Sequence, residues 1–355
     1  MRLIPVQKRN ALKRKGFTLI ELLVVITIIV ILMALTLGVI SKVYSFLDET
    51  KVVSEVNRLA VGCNQFKSTF GRYPPSKILL AEQGAVYQSI LGPTPPAPPA
   101  GYTTAQFQAL AAYSVEYLSS IFPGINLTGN IHDWNGNLTP GENGYVILEG
   151  QQCLVYFLGG MIYNGSAPIG FNTDKTNPTF GSTGARLGPF FDFDASRFST
   201  TGVFPAYPAY KDVYGTPYAY FAAKSPGLNN YPNRYVPNNP MLAALLGPND
   251  CESLTTSTTS TGTLYFVPYF DGTVPPVPPV NWVSSNGFKF SKSDTFQIVS
   301  AGKDKQFGTG GQYNQTDPEQ SVFLPTALLP AADSASLQAN YDNITNVTNG
   351  RVVPK

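Results

Sequence analysis

From Leu22 to Ile40 the chain runs LLVVITIIVILMALTLGVI, 19 residues without a charge. A run of that length meets the criterion for a membrane-spanning helix. Counted from Phe17, the 24 residues to Ile40 rise about 36 Å as a helix, against a hydrocarbon core of roughly 30 Å. A cleaved secretory signal fits poorly, because the apolar run is too long and no small-x-small site follows it. Six basic residues precede the run (Arg2, Lys8, Arg9, Lys13, Arg14, Lys15) with no acid among them. That asymmetry predicts a cytoplasmic N-terminus and a body delivered across the membrane. Glu21 breaks the pattern at the lip of the run, where an acid costs on the order of 2.5 to 3.5 kcal/mol toward a helix centre. A carboxylate kept there needs a partner or a task.

The composition excludes several function classes. His132 is the only histidine, so no multi-histidine metal site can be built, and any His-dependent triad must use that ring. No P-loop, dinucleotide fingerprint or zinc-type cysteine cluster is present. Without residues 1–16 the chain keeps 18 basic against 22 acidic side chains, which argues against a nucleic-acid reader. These features point to a structural subunit rather than an enzyme. The 32 glycines and 30 prolines imply a turn-rich body.

Beyond the apolar run, Val52, Val56, Leu59, Cys63, Phe66 and Phe70 recur at spacings of three and four, one apolar stripe of a continuing helix. Lys51, Glu55, Arg58 and Lys67 are placed on its other face. Residues 17–70 thus read as one helix, ended by Gly71-Arg72-Tyr73-Pro74-Pro75. Residues 104–122 read as a second helix. Strand candidates are 145–150, 152–160, 216–224, 263–270 and 294–302, rich in aromatic and β-branched residues between turn signals. They suggest an antiparallel sheet laid against the amphipathic half of the helix. The proline-rich stretches 92–101 and 274–280 read as stiff surface loops, and 253–263 as an exposed low-complexity run. Asp133-Trp134-Asn135-Gly136-Asn137 alternates like the start of an EF-hand but lacks its later ligands, and reads as an Asx-type turn. Cys153 and Cys251 can pair in an oxidising compartment, while Cys63 on the stripe reads as a buried thiol.

Lys15-Gly16-Phe17-Thr18-Leu19-Ile20-Glu21, followed by the apolar run, resembles the processing site of type IV pilins and of the pseudopilins of type II secretion systems. The resemblance implies an α+β pilin fold, a long N-terminal α-helix packed on an antiparallel β-sheet head. Its divisions are a leader at 1–16, a transmembrane half at 17–40, an amphipathic half at 41–70 and a head at 71–355. It implies that a prepilin peptidase and methyltransferase cuts between Gly16 and Phe17 and methylates the new amine of Phe17. It further implies that Glu21 balances the N-terminal charge of a neighbouring subunit as helices stack into a filament. Physical chemistry agrees, since a cation and an anion are tolerated in an apolar bundle only as a pair. Where the family often carries a helix-breaking proline, this chain has Gly38, a softer weak point.

Three further elements are similar to the G-type major pseudopilin of type II secretion: Phe70 to Ser76, Lys211 to Tyr220, and Ile298 to Gly308 with Asp342-Asn343-Ile344 after it. Tyr214 stands where a tryptophan is commoner, and Asn343 replaces one of two adjacent carboxylates. Residues 76–210 have no counterpart and read as a large insertion. In that family an acidic C-terminal loop holds calcium. The resemblance implies that Asp304, Asp317 and Asp342, with carbonyls near Ser300, supply the hard oxygen ligands calcium takes.

The reading is therefore a structural subunit of a secretion-type pseudopilus, anchored once in a bacterial inner membrane with its head in the periplasm. Membrane lipid, an assembly platform, minor pseudopilins and further copies of itself are its expected partners, and nucleic acid is not. The alternative is a surface type IV pilin for adhesion, motility or DNA uptake, its head then extracellular.

Overall fold

The computed structural model describes residues 17–129, 131–141, 144–163, 167–181, 184–199 and 207–223. Further on it describes 250–251, 254, 257–259, 262–264, 266–271, 289–292, 294–308, 310–312, 342–348 and 350–352. The leader 1–16 and the proline-rich stretch 274–280 lie outside the described residues. The chain divides into two compact units, Met1–Glu49 and Thr50–Lys355.

Helix α1 spans Leu19–Phe70 and is continuous through Gly38. In the first unit every large apolar side chain from Phe17 to Met33 is between 44% and 81% exposed. The side chains of residues 35–43 are not described, and among the described residues no helix is long and apolar enough to cross a membrane.

In the second unit the expected stripe is the spine of the core: Val52, Val56, Leu59, Cys63, Phe66 and Phe70 are all buried. Gly71 ends α1 at φ +82°, with its N–H donating to the Lys67 carbonyl at 2.7 Å. A Cβ there would touch nothing, so it is the left-handed backbone that favours glycine. Phe66 packs edge-on against Phe157 and Phe190, with ring centroids 5.9 and 5.5 Å away. Phe70 does the same with Phe122 and Phe171 at 5.5 and 6.2 Å. All four partners come from residues 76–210, so that stretch builds the core around the stripe rather than decorating it.

After α1 come β1 (Lys77–Ala81), α2 (Gly84–Leu91), α3 (Thr104–Ile121), β2 (Tyr145–Glu149) and α4 (Gly150–Gly159). The expected second helix is α3, opened by a capping box in which Thr103 Oγ1 accepts Gln106 N–H at 3.3 Å and Gln106 Oε1 accepts Thr103 N–H at 2.7 Å. The strand expected at 152–160 is corrected: that segment is α4. All ten of its residues are buried, and an apolar run with no exposed face carries no period to separate helix from strand. Its start is marked by Gln152 Oε1, which accepts Glu149 N–H at 3.1 Å. β1 pairs antiparallel with β2, Lys77 opposite Glu149 and Ala81 opposite Tyr145.

The expectation of one antiparallel sheet is also refined. A four-stranded antiparallel sheet orders Gly350–Arg351, Ile344–Thr345, Phe296–Ser300 and Ala219–Ala222. The 263–270 candidate splits into Gly262–Leu264 and Val267–Asp271, and the latter pairs parallel with Gly310–Gln312. Strands of two to five residues between frequent glycines and prolines make several small sheets rather than one broad one.

Glu55 departs from expectation. It is buried, and its carboxylate takes Arg197 end-on, Nη1 to Oε1 at 2.6 Å and Nη2 to Oε2 at 2.5 Å. Tyr210 OH donates to Oε1 at 3.1 Å and Tyr218 OH to Oε2 at 2.6 Å. The Arg197 guanidinium lies 4.4 Å from the Tyr210 ring centre. Burial works against the Arg197 charge, and the bonds and charge of Glu55 more than offset it. Removing Glu55 leaves the partly buried Arg197 guanidinium without its anion, with the Lys211 carbonyl as its remaining acceptor. Glu55→Ala is expected to cost about 3 kcal/mol in urea unfolding, whereas Lys51→Ala on the exposed face stays within about 0.5 kcal/mol.

Candidate assembly helix and cation loop

The start of α1 is built by two residues. Glu21 Oε2 accepts both the Thr18 N–H and the Thr18 hydroxyl, each at 2.8 Å, and Thr18 Oγ1 accepts the Glu21 N–H at 3.3 Å. This is a capping box: two N-terminal donors of the helix are satisfied reciprocally, and the carboxylate sits at the positive end of the helix dipole. Thr18 was not among the expected site residues, although T-x-x-E at a helix start is a readable signal. Phe17 precedes the cap and is 80% exposed. Gly16 lies outside the described residues.

In the head, the elements at 211–220 and 298–304 are brought side by side. Phe296 to Val299 pair antiparallel with Ala222 to Ala219. Asp212 accepts the N–H groups of Tyr214 at 2.9 Å and Thr216 at 3.1 Å, while Ser300 Oγ donates to its Oδ2 at 2.5 Å. Burial raises the Asp212 carboxyl above its ordinary range, partly offset by these bonds. Tyr220 OH donates to the Pro74 carbonyl at 2.8 Å, tying in the element after α1.

The loop at 301–306 meets the turn at 342–343. Asp342 Oδ2 accepts the Asp304 N–H at 3.0 Å, and Asp304 Oδ1 accepts the Gln306 N–H at 2.8 Å. Gly302, at φ +71°, makes the approach possible, since a Cβ there would strike the Asp342 carbonyl and lie 2.7 Å from its Oδ2. Partial desolvation, with the Asp342 charge beside it, pushes Asp304 up to about 6 against the Gln306 bond that lowers it. Asp342 Oδ1 and Asn343 Oδ1 are buried acceptors without a hydrogen-bond partner. Asn343 Nδ2 is spent on Tyr269 OH and the Phe307 carbonyl, both at 2.8 Å.

Asp304 and Asp342, two hard carboxylate donors, are thus brought together at this loop. Asp317, the third expected ligand, lies outside the described residues. Among the described residues no group of three or more His, Cys, Asp or Glu side chains could hold a metal.

The 133–137 stretch is a network of Asx turns, as read. Asn135 Oδ1 accepts Asn137 N–H at 2.9 Å and Asn137 Oδ1 accepts Thr139 N–H at 2.7 Å. None of the three cysteines is in a disulfide; all are buried. His132 is buried, with Nε2 3.2 Å from the Asn126 carbonyl and Nδ1 without a partner. Burial lowers its pKa, so the fold holds the neutral ring. The unfolded chain therefore binds a proton first as pH falls. This contribution to stability is fully present above about pH 6.5 and declines as pH drops below it. Urea unfolding from about pH 8 to pH 5 should show that decline, and His132→Gln should remove its share of the slope.

Residues 12–37 match the family model described as the prokaryotic N-terminal methylation motif. No curated protein and no solved structure matches the chain. The motif is the one carried by type IV pilin-like and pseudopilin precursors. It implies processing of the leader by a prepilin peptidase and assembly into pilin-type filaments.

Proposed function

We propose that this chain is the major subunit of a type II secretion-type pseudopilus. Its leader is removed between Gly16 and Phe17, and the new amine of Phe17 is methylated. The apolar part of α1 holds the subunit in the inner membrane until an assembly platform adds it to the growing filament, with minor pseudopilins as further partners. The observation that carries the reading is the coincidence of the methylation motif with the start of α1, where Glu21 sits on the first turn and the apolar side chains after it are exposed. Exposed apolar surface of that extent requires lipid or other copies of the helix. The choice of a secretion pseudopilus over a surface pilus is supported by the three G-type-like elements after α1. They are joined through the Tyr220–Pro74 and Ser300–Asp212 hydrogen bonds.

Glu21 supplies the register. A methylated amine at Phe17 of one subunit needs an anion once water is excluded, and Glu21 is the one acid the apolar segment offers, here that of a neighbour. A misaligned helix leaves both charges unpaired. Mass spectrometry of envelope-purified protein is expected to give Phe17, one methyl group heavier, as the mature N-terminus; any other start overturns the assignment. Glu21→Ala is expected to be processed normally yet enter filaments poorly beside wild type, as scored in sheared or crosslinked fractions. Normal incorporation would remove the register role.

Calcium, in this reading, is held by Asp304 and Asp342 together with Asp317, and offsets the Asp342 charge that adds to the desolvation raising Asp304. Millimolar calcium added after chelation should raise the melting temperature of the purified chain, and Asp342→Asn should abolish most of the shift. An unchanged melting temperature in wild type would leave the loop a hydrogen-bonded turn.

A further inference from the structure

Two thiols of the head converge on the first turn of α4. Cys153 lies on that turn, and its Sγ points back toward the helix start, 3.7 Å from the Leu148 carbonyl oxygen. Cys251 reaches the same turn from a distant part of the chain. The Asp250 carbonyl accepts the Gly150 N–H at 2.7 Å, and the Cys251 Sγ donates to the Tyr220 carbonyl at 3.2 Å. That sulfur lies 2.7 Å from where a Cβ on residue 150 would sit, so only glycine leaves room for it. Positions 150 and 153 are neighbours on one helix face, with Cβ positions about 5–6 Å apart. Both thiols are fully buried.

We propose that Cys153 and Cys251 become joined by a disulfide in the exported head, fastening the chain at 250–251 to the first turn of α4. The inference rests on the reading that the head lies on the oxidising side of the membrane. A disulfide needs Cα atoms about 4.4–6.8 Å apart with side chains facing each other; Cys251 Sγ over Gly150 and Cys153 on the same turn bring the two thiols into the neighbourhood from which such a bond closes. The chemistry is exchange with a disulfide-bearing protein oxidant of the cell envelope. One thiolate attacks the oxidant's disulfide to give a mixed disulfide, and the second thiolate displaces it. Two protons leave the cysteines, a sulfur–sulfur bond forms, and the oxidant departs as a dithiol carrying the two electrons. In the closed fold burial, with acidic neighbours beside it, holds each thiol well above its ordinary pKa. The attacking thiolate is therefore available only before the turn and the 250–251 segment close. The bond forms as the head folds, and is then shielded from reductant. Cys63, buried in the α1 stripe, stays a thiol.

The test is thiol mapping of the full chain. Protein is extracted from envelopes in denaturant with a thiol-blocking maleimide and digested without reduction. The expected result is a linked 153–251 peptide, label on Cys63 alone, and loss of the link in Cys153→Ser. As a second arm, the full chain in detergent is refolded with a mixture of reduced and oxidised glutathione. Label on all three cysteines in both arms overturns the pairing, as does a link that uses Cys63. A link formed on refolding but absent from envelope protein keeps the pairing and instead overturns the exported position of the head.

Discussion

One face of α1, from Val52 to Phe70, must be kept from water, and most of the head is placed by that need. Burying each such apolar side chain contributes about 1.5 to 3 kcal/mol, so the six residues of the stripe together are a large apolar commitment. The rings of Phe66 and Phe70 draw in Phe122, Phe157, Phe171 and Phe190 from four separate segments. Because Glu55 sits at the edge of this face, closing the core also buries a carboxylate. Arg197, Tyr210 and Tyr218 are held where they are by the obligation to satisfy it.

Much of this was legible in the residues. The 52–70 stripe announces itself by its period, Gly71 and the two prolines fix its end, and the helix at 104–121 follows from its pattern. Where the reading failed, it failed for want of contrast. α4 and β1 are buried on every side, so neither alternates nor repeats. Glu55 was assigned to the wet face because it is charged. Yet 52, 55, 56 and 59 fall at i, i+3, i+4 and i+7, which puts it among the buried positions by geometry alone. Charge was trusted over angle, and angle was right.

The candidate site divides in the same way. Glu21 could be singled out because an acid beside a long apolar run is costly and therefore conspicuous. The acids of the loop were matched by their order along the chain, but composition could not say that Asp304 and Asp342 would touch. Their contact depends on Gly302 letting two backbones approach. The polar atoms left over there, on Asp342 and Asn343, are visible only once the fold is drawn.

The capping box at the head of α1 changes what joining a filament entails. Glu21 is not an empty socket in the lone chain, since Thr18 already occupies one of its oxygens from both backbone and hydroxyl. In the register role proposed above, an incoming amine would therefore share or displace a resident donor, and the acid would pass from one set of hydrogen bonds to another instead of standing bare in lipid.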